Sequence, residues 1–270
     1  MNHERALQPK LVMENEDILA ILEAADEIIG RAGRAMLTKL LKGSKDKKLL
    51  SLELDRVRRY GHYSCLTLEQ IAARVDWMIE NDFLSIEYQG DMPLLYFTDR
   101  GWIVEREQQG SRLLQEWSQW LEEGRSAGEL DMLYLKDRNR GMILLFLEKV
   151  ARSRDKRFIP YLEQWKLVDY RKIREAIDQV VRYLEQPEEF AGEALQLEGA
   201  PRDWEADWKN ALDSKAEDER LKCWDCGNRF IWTVKEQGHY RLQGWEPPKR
   251  CPACREKKWL RRNGIMDDEF

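Results

Sequence analysis

Four of the five cysteines lie in two short patterns, Cys223-Trp-Asp-Cys226-Gly and Cys251-Pro-Ala-Cys254-Arg, with 24 residues between them. Each C-x-x-C pair can close into a tight knuckle that aims two thiolates at one point, and two knuckles complete a tetrahedral four-sulfur site. With all four positions filled by protein, the expected metal is structural and has no open position for catalysis. Zinc is the first expectation, since cytosolic thiols are rarely kept as disulfides; an iron–sulfur site or a redox dithiol is the competing chemistry. Cys65, alone between Ser64 and Leu66, reads as a core thiol.

The second chemically suggestive stretch is KLLKGSKDKKLL, residues 39–50. A phosphate-cradling P-loop needs G-x-x-x-x-G-K-[ST] after a buried strand. Here Gly43 precedes Ser44 and Lys45, and nothing upstream reads as such a strand. The chain has no G-x-G-x-x-G, H-E-x-x-H or G-x-S-x-G, and only His3, His62 and His239 could serve a histidine-based site. No enzyme is expected. Charge distribution points elsewhere. The formal net charge is −5, yet residues 31–62 carry ten Lys/Arg against Asp46, Glu53 and Asp55, and residues 220–262 carry twelve against four acids. Two basic islands on an acidic frame predict two polyanion-facing surfaces, separated in sequence by a segment that would repel nucleic acid.

The elements that must position these groups follow from periodicity. Ile18, Ile21, Leu22, Ala25, Ile28 and Ile29 form one helical stripe, and Met36, Leu37, Leu40 and Leu41 a second that stops at Gly43. Ser44 is the expected cap of a short third helix, and Thr67 with Gln70 forms a capping box for a fourth, whose inner face is Leu68, Ile71, Ala72 and Val75. Two strands then flank a turn at Gly90 and Asp91, so helices followed by a hairpin give the plan of a winged helix. From Ser111 to about Asn210 the chain reads as helices, including a HEAT-type pair in which Phe158, Ile159, Leu162 and Trp165 face Ile173, Ile177, Val180, Val181 and Leu184. A last helix is expected over residues 204–220. Between the knuckles, residues 229–234 read as a strand, 235–238 as a turn and 239–245 as a returning strand that holds His239. The predicted fold class is mainly α: a winged helix (α+β) over residues 1–110, a HEAT-like helical middle over 111–212 and a β zinc ribbon over 213–270.

At residues 31–102 the chain resembles the winged-helix (RQC) domain that follows the motor in RecQ-family DNA helicases. The likeness is carried by the helix before Lys42-Gly43-Ser44, the basic continuation to Lys48, Tyr60-Gly61, the helix ending in MIENDFL and the close Thr98-Asp99-Arg100-Gly101. It implies that Lys42, Ser44 and Lys48 contact the phosphate backbone, with Thr67 opening a recognition helix beside them. A helix N-terminus offers unpaired amides to a phosphate, and Ser44 adds a hydroxyl. Arg31, Arg34, Lys45, Lys47, Arg58 and Arg59 extend this basic surface. The wing tip offers Tyr88, Gln89 and Met92, with no aromatic residue at its apex, so the strand separation performed by the helicases is not implied.

About forty residues around the four cysteines resemble a zinc-ribbon family of small bacterial proteins, through Cys223, Cys226, Gly227, Phe230, Trp232, Glu236, Gln237, Tyr240, Pro248, Arg250, Cys251, Cys254 and Arg255. Arg229, Lys249, Arg250, Arg255, Lys257 and Lys258 form the second expected polyanion surface. Trp224, Trp232, Trp245 and Trp259 are read mainly as cover for the metal site, with base stacking as the alternative. The expectation is a cytosolic, non-enzymatic nucleic-acid-binding protein with one structural zinc ion. Duplex DNA is the first partner; RNA or ribosome association and a protein-docking adaptor are the alternatives. No membrane partner is expected: the longest apolar run, residues 142–147, is far short of a span, and residues 1–10 lack the plan of a secretion signal.

Overall fold

The computed structural model describes residues 11, 13–190, 195–214 and 217–263; the N-terminal segment read for a secretion signal, with His3, lies outside them. The chain forms two compact units: one joins the residues up to Gly101 to those from Asp213 onward, and the other is Trp102–Leu212. The two basic islands, distant in sequence, therefore belong to one unit.

That unit begins as α1 (Asn15–Asp26), α2 (Arg34–Lys42), α3 (Lys47–Ser51), α4 (Leu68–Glu80), β1 (Leu84–Gln89) and β2 (Met92–Phe97). The strands pair antiparallel from Leu84 opposite Phe97 to Gln89 opposite Met92. This is the expected winged helix, except that Leu68, expected on the inner face of α4, is 50% exposed and Cys65, expected in the core, is exposed. Ile21, Leu22, Leu37, Leu40, Leu41, Ile71, Val75, Ile79 and Leu95 are fully buried in its core, where truncating one leucine costs about 2–5 kcal/mol. α2 ends on Gly43 at φ +77°, with the Gly43 and Ser44 amides donating back to Leu40 and Lys39 carbonyls. A Cβ on Gly43 would come within 3.0 Å of Gly61 Cα. The Gly61 amide donates to Leu40 O at 2.9 Å, and the Tyr60 hydroxyl donates to Ser44 O at 3.2 Å. The Gly43 and Tyr60-Gly61 signatures are thus two halves of one backbone crossing.

The C-terminal part of the unit departs from the expected strand order. The helix expected over 204–220 stops as α10 (Trp204–Asp213), and β3 (Glu219–Lys222) pairs antiparallel with β4 (Arg229–Trp232) across the first knuckle. Beyond Leu212 no apolar stripe remains to sustain a helix. The expected returning strand at 239–245 is instead helical: α11 (Val234–Gln243) starts at Thr233, whose hydroxyl accepts the Glu236 amide at 3.3 Å, and stops at Gly244 in the left-handed region. A T-x-x-E start signal lay in plain view there. α12 (Pro252–Arg262) follows the second knuckle.

α11 packs on α4 and β1. Gly238 faces the Glu80 side chain, and Gly244 (φ +66°) lies so close to β1 that a Cβ would stand 2.9 Å from Ile86 O. The Arg241 guanidinium donates to Glu80 O at 3.0 Å and lies 3.3 Å from the Asp82 carboxylate. Arg100 donates at 2.7 Å to both Asn81 O and Ser214 O and sits 4.0 Å over the Phe83 ring. Two cations therefore satisfy carbonyls at the C-terminus of α4, where the helix dipole is negative.

α5 (Asp99–Glu122) leads into the second unit, which contains α6 (Leu133–Lys136), α7 (Arg140–Ser153), α8 (Ile159–Lys166), α9 (Arg171–Glu185) and α10. Its core is aromatic. Trp117, fully buried, meets Phe146, Tyr161 and Trp165 edge-on at 4.9–5.9 Å between centroids and donates to the Tyr134 hydroxyl at 3.0 Å. The HEAT-like pair forms as α8 and α9, with Pro160 tolerated in the first turn. Among the described residues no helix is long and apolar enough to cross a membrane.

Candidate metal centre and nucleic-acid interface

The β3–β4 hairpin carries Cys223 and Cys226, while Cys251 is the N-cap of α12 and Cys254 lies in its first turn. The four sulfurs lie within 4.8 Å of one another, and Cys226 Sγ is 3.9 Å from Cys251 Sγ. Zn–S bonds of about 2.3 Å place tetrahedral sulfurs about 3.8 Å apart, whereas a disulfide needs about 2.05 Å. The backbone is shaped for this purpose. The Gly227 amide donates to Cys223 O at 3.0 Å, the Cys223 amide to Asn228 O at 2.9 Å, and the Trp224 amide to Lys249 O at 3.0 Å, tying one knuckle to the other.

Backbone amides, first that of Cys226 and then that of Cys251, pull the Cys223 thiol down to about 6. Cys254 is pushed up to about 12, first through its hydrogen bond with the Cys251 thiol. Four thiols this close cannot all ionise without a cation between them. The donor set thus fits one structural zinc ion with no open coordination position. His239 stands outside the cluster, exposed and edge-on to Trp245 at 5.5 Å.

The first basic island separates into cations that hold the fold and cations that do not. Lys42, half-buried, donates to Ser64 O at 2.7 Å and Leu66 O at 2.8 Å, fixing the loop into α4. Arg59 is ion-paired with Glu23, which is only 7% exposed. Arg34 pairs with Asp76 at 2.7 Å, and Arg31 donates to Glu27 O at 3.3 Å. Lys45, Lys47 and Lys48 are exposed, with no ion-pair partner among the described residues. Arg58 is 68% exposed and sits 3.6 Å from Glu23.

The cap of α3 differs from expectation. Asp46, not Ser44, occupies the helix start, accepting the Lys48 amide at 3.0 Å and the Leu49 amide at 3.4 Å. Its hydrogen bond from Lys39 at 2.7 Å holds the carboxyl below the usual range. A carboxylate therefore already takes the amides that the sequence offered to a phosphate. At α4 the Thr67 hydroxyl accepts the Gln70 amide at 3.2 Å, and Gln70 Oε1 accepts the Thr67 amide at 2.9 Å, as the capping box predicts. What faces outward is side-chain charge.

Part of that charge converges. A groove of about 500 Å³ is lined by Arg31, Arg34, Lys39 and Lys48, by Tyr88 and Met92 of the wing, and by Leu242 of α11. Tyr88 and Met92 are 55% and 57% exposed, while Gln89 donates to the Tyr96 hydroxyl at 3.3 Å. Leu242 had no sequence signal, because its place depends on α11 packing against the winged helix.

On the second island Arg255 is held inward, donating at 2.7 Å to the Tyr240 hydroxyl and to Glu236. Arg250 pairs with Asp225 at 2.7 Å, and Lys249 with Glu246 at 3.0 Å. Arg229, Lys257 and Lys258 are exposed. Of the tryptophans expected to cover the metal, only Trp232 is buried; Trp224, Trp245 and Trp259 are 70%, 55% and 58% exposed. Sulfur ligation and backbone hydrogen bonds hold this module together, so it needs little apolar cover.

Residues 14–116 match the family model of the RQC domain, and residues 217–263 match a model described as a probable treble clef domain. The second agrees with the geometry, a knuckled hairpin followed by a helix that brings the second thiol pair. No curated protein and no solved structure matches the chain. Both modules point to nucleic-acid binding as the general activity.

Proposed function

We propose that the protein is a non-enzymatic binder of duplex DNA, gripping phosphates with side-chain cations of the winged helix while the zinc module buttresses the wing. The carrying observation is the groove in which Lys48, unpaired among the described residues, together with Arg31 and Arg34, which stay exposed while each holds one partner, meets the exposed wing residues Tyr88 and Met92. Cations around a concave surface beside a hairpin suit the sugar–phosphate backbone, and phosphate contacts fix register without reading sequence. Lys45, Lys47 and Arg58 extend the charged surface, and Thr67 adds a hydroxyl at the start of α4. Strand separation forms no part of the proposal, since the wing turns on Gly90 and Asp91 with no aromatic apex.

Competition is the test. Unlabelled duplex DNA should displace a labelled blunt duplex from the zinc-loaded chain at lower concentration than structured RNA does. Equal or better displacement by RNA would overturn the duplex assignment in favour of RNA. Failure of every nucleic acid to bind would overturn the reading altogether and favour the adaptor.

A further inference from the structure

The exposed indoles of the zinc module call for a partner that the duplex reading does not supply. On α12, Arg255, Lys258, Trp259 and Arg262 recur at helical spacing and so share one side. Arg255 is clamped to Tyr240 and Glu236, which fixes the rotation of the helix. Lys258, Trp259 and Arg262 then line a groove of about 430 Å³ whose other wall is Pro247, Pro248 and Lys249. That wall is tied to the first zinc knuckle by the Trp224 amide on Lys249 O at 3.0 Å. Trp259 is 58% exposed, and among the described residues neither Lys258 nor Arg262 has an ion-pair partner. The lining acid, Glu246, is already engaged by Lys249 at 3.0 Å.

We propose that this groove is a single-stranded nucleic-acid site, in which an unpaired base stacks on Trp259 while Lys258 and Arg262 take its phosphates. A cationic groove with an accessible aromatic face is the arrangement that holds single strands without reading sequence. A base inside a duplex offers no free face to an indole, whereas an unstacked base does. An acidic peptide would satisfy the cations but leave the indole without a role. The proposal rests on the reading that the chain binds nucleic acid, but not on its preference for duplex. The two together describe a protein suited to a duplex that continues into single strand.

The experiment compares labelled oligodeoxythymidine with a labelled blunt duplex on the full, zinc-loaded chain by fluorescence anisotropy. Trp259→Ala should weaken oligodeoxythymidine binding about tenfold and leave the duplex unchanged, while Trp259→Phe keeps most of the affinity. Trp259 is exposed, so folding should not confound the result, and an unchanged thermal midpoint checks this. Lys258→Gln with Arg262→Gln should flatten the salt dependence for the oligonucleotide alone. No binding of oligodeoxythymidine, equal weakening of both probes, or displacement by polyglutamate as effective per charge as by unlabelled oligonucleotide would each overturn the proposal. Trp259-dependent binding of oligodeoxythymidine with no duplex binding would instead sink the duplex reading and leave this one standing.

Discussion

The two basic islands carry similar net charge in sequence, yet they are built in opposite ways. The first stands on an apolar core: Leu37, Leu40, Leu41 and Ile71 are fully buried beneath it, and its free lysines follow a helix end closed by two crossing glycines. The second stands on a four-thiol centre, leaves three tryptophans on the surface, uses Arg250 and Arg255 as internal ties, and reaches the winged helix through Arg241. A count of Lys and Arg therefore overstates the charge available to a ligand. Lys42 and Arg59 in one island, and Arg255 in the other, are parts of the scaffold. What remains exposed is lysine and arginine beside Tyr88 and Met92 of the wing in the first case and Lys258 and Arg262 beside an indole in the second; backbone contact is assigned to the first and base contact to the second.

Metal removal should set the islands furthest apart. Structural zinc contributes on the order of 10–16 kcal/mol in small zinc modules. Chelation should therefore abolish hydrogen-exchange protection in β3, β4 and α12 while α1, α2 and α4 keep theirs. Elemental analysis should find one zinc per chain, absent from Cys254→Ser. Protected α12 amides after complete chelation would mean that the second island does not depend on its metal.

A smaller effect is expected where the two modules meet. Gly244→Ala forces a side chain into a left-handed position 2.9 Å from Ile86 O, and stability should fall by about 1–3 kcal/mol. Arg241→Ala, which strips a carbonyl at the α4 terminus of its donor, should cost a similar amount. Unchanged thermal midpoints in both variants would show that the zinc module does not rest on the wing in solution.

Acid should separate the two units more gently. Asp46 is held below its ordinary value by Lys39, so its stabilisation of α3 is present at and above the usual carboxylate range and fades as pH falls through the depressed value. Glu148 in the helical unit is shifted upward by burial, so its contribution to stability improves as pH falls through its raised value. Hydrogen exchange measured from neutral to acidic pH should show α3 losing protection while α7 does not. Parallel losses would contradict the assignment of these two carboxylates.

The winged helix was legible because its signals are local: a 3.6-residue stripe, a T-x-x-Q box at Thr67, and a Gly-Asp turn between alternating strands. The metal ligands were legible because C-x-x-C spacing is itself the geometry. The residues of α11 read as a strand because, past the T-x-x-E start at Thr233, they show little amphipathic contrast, and the close packing of Gly238 and Gly244 against α4 and β1 favours the helix. Ser44 and Asp46 are both competent N-cap residue types, and the long-range partner Lys39, which no local pattern announces, favours Asp46. The separation of Lys42 from Lys48 was invisible, since the carbonyls that hold Lys42 lie 22 and 24 residues away.

The salt dependence of duplex binding in two variants tests the central claim most directly. Lys45→Gln, Lys47→Gln and Lys48→Gln combined should reduce the slope of log affinity against log salt by about 0.9 for each phosphate no longer neutralised, with stability changed by no more than about 0.5 kcal/mol. Lys42→Met should do the reverse, lowering stability by about 1–3 kcal/mol and leaving the slope intact. A triple variant with the wild-type slope would contradict the claim that these exposed side chains hold the phosphates.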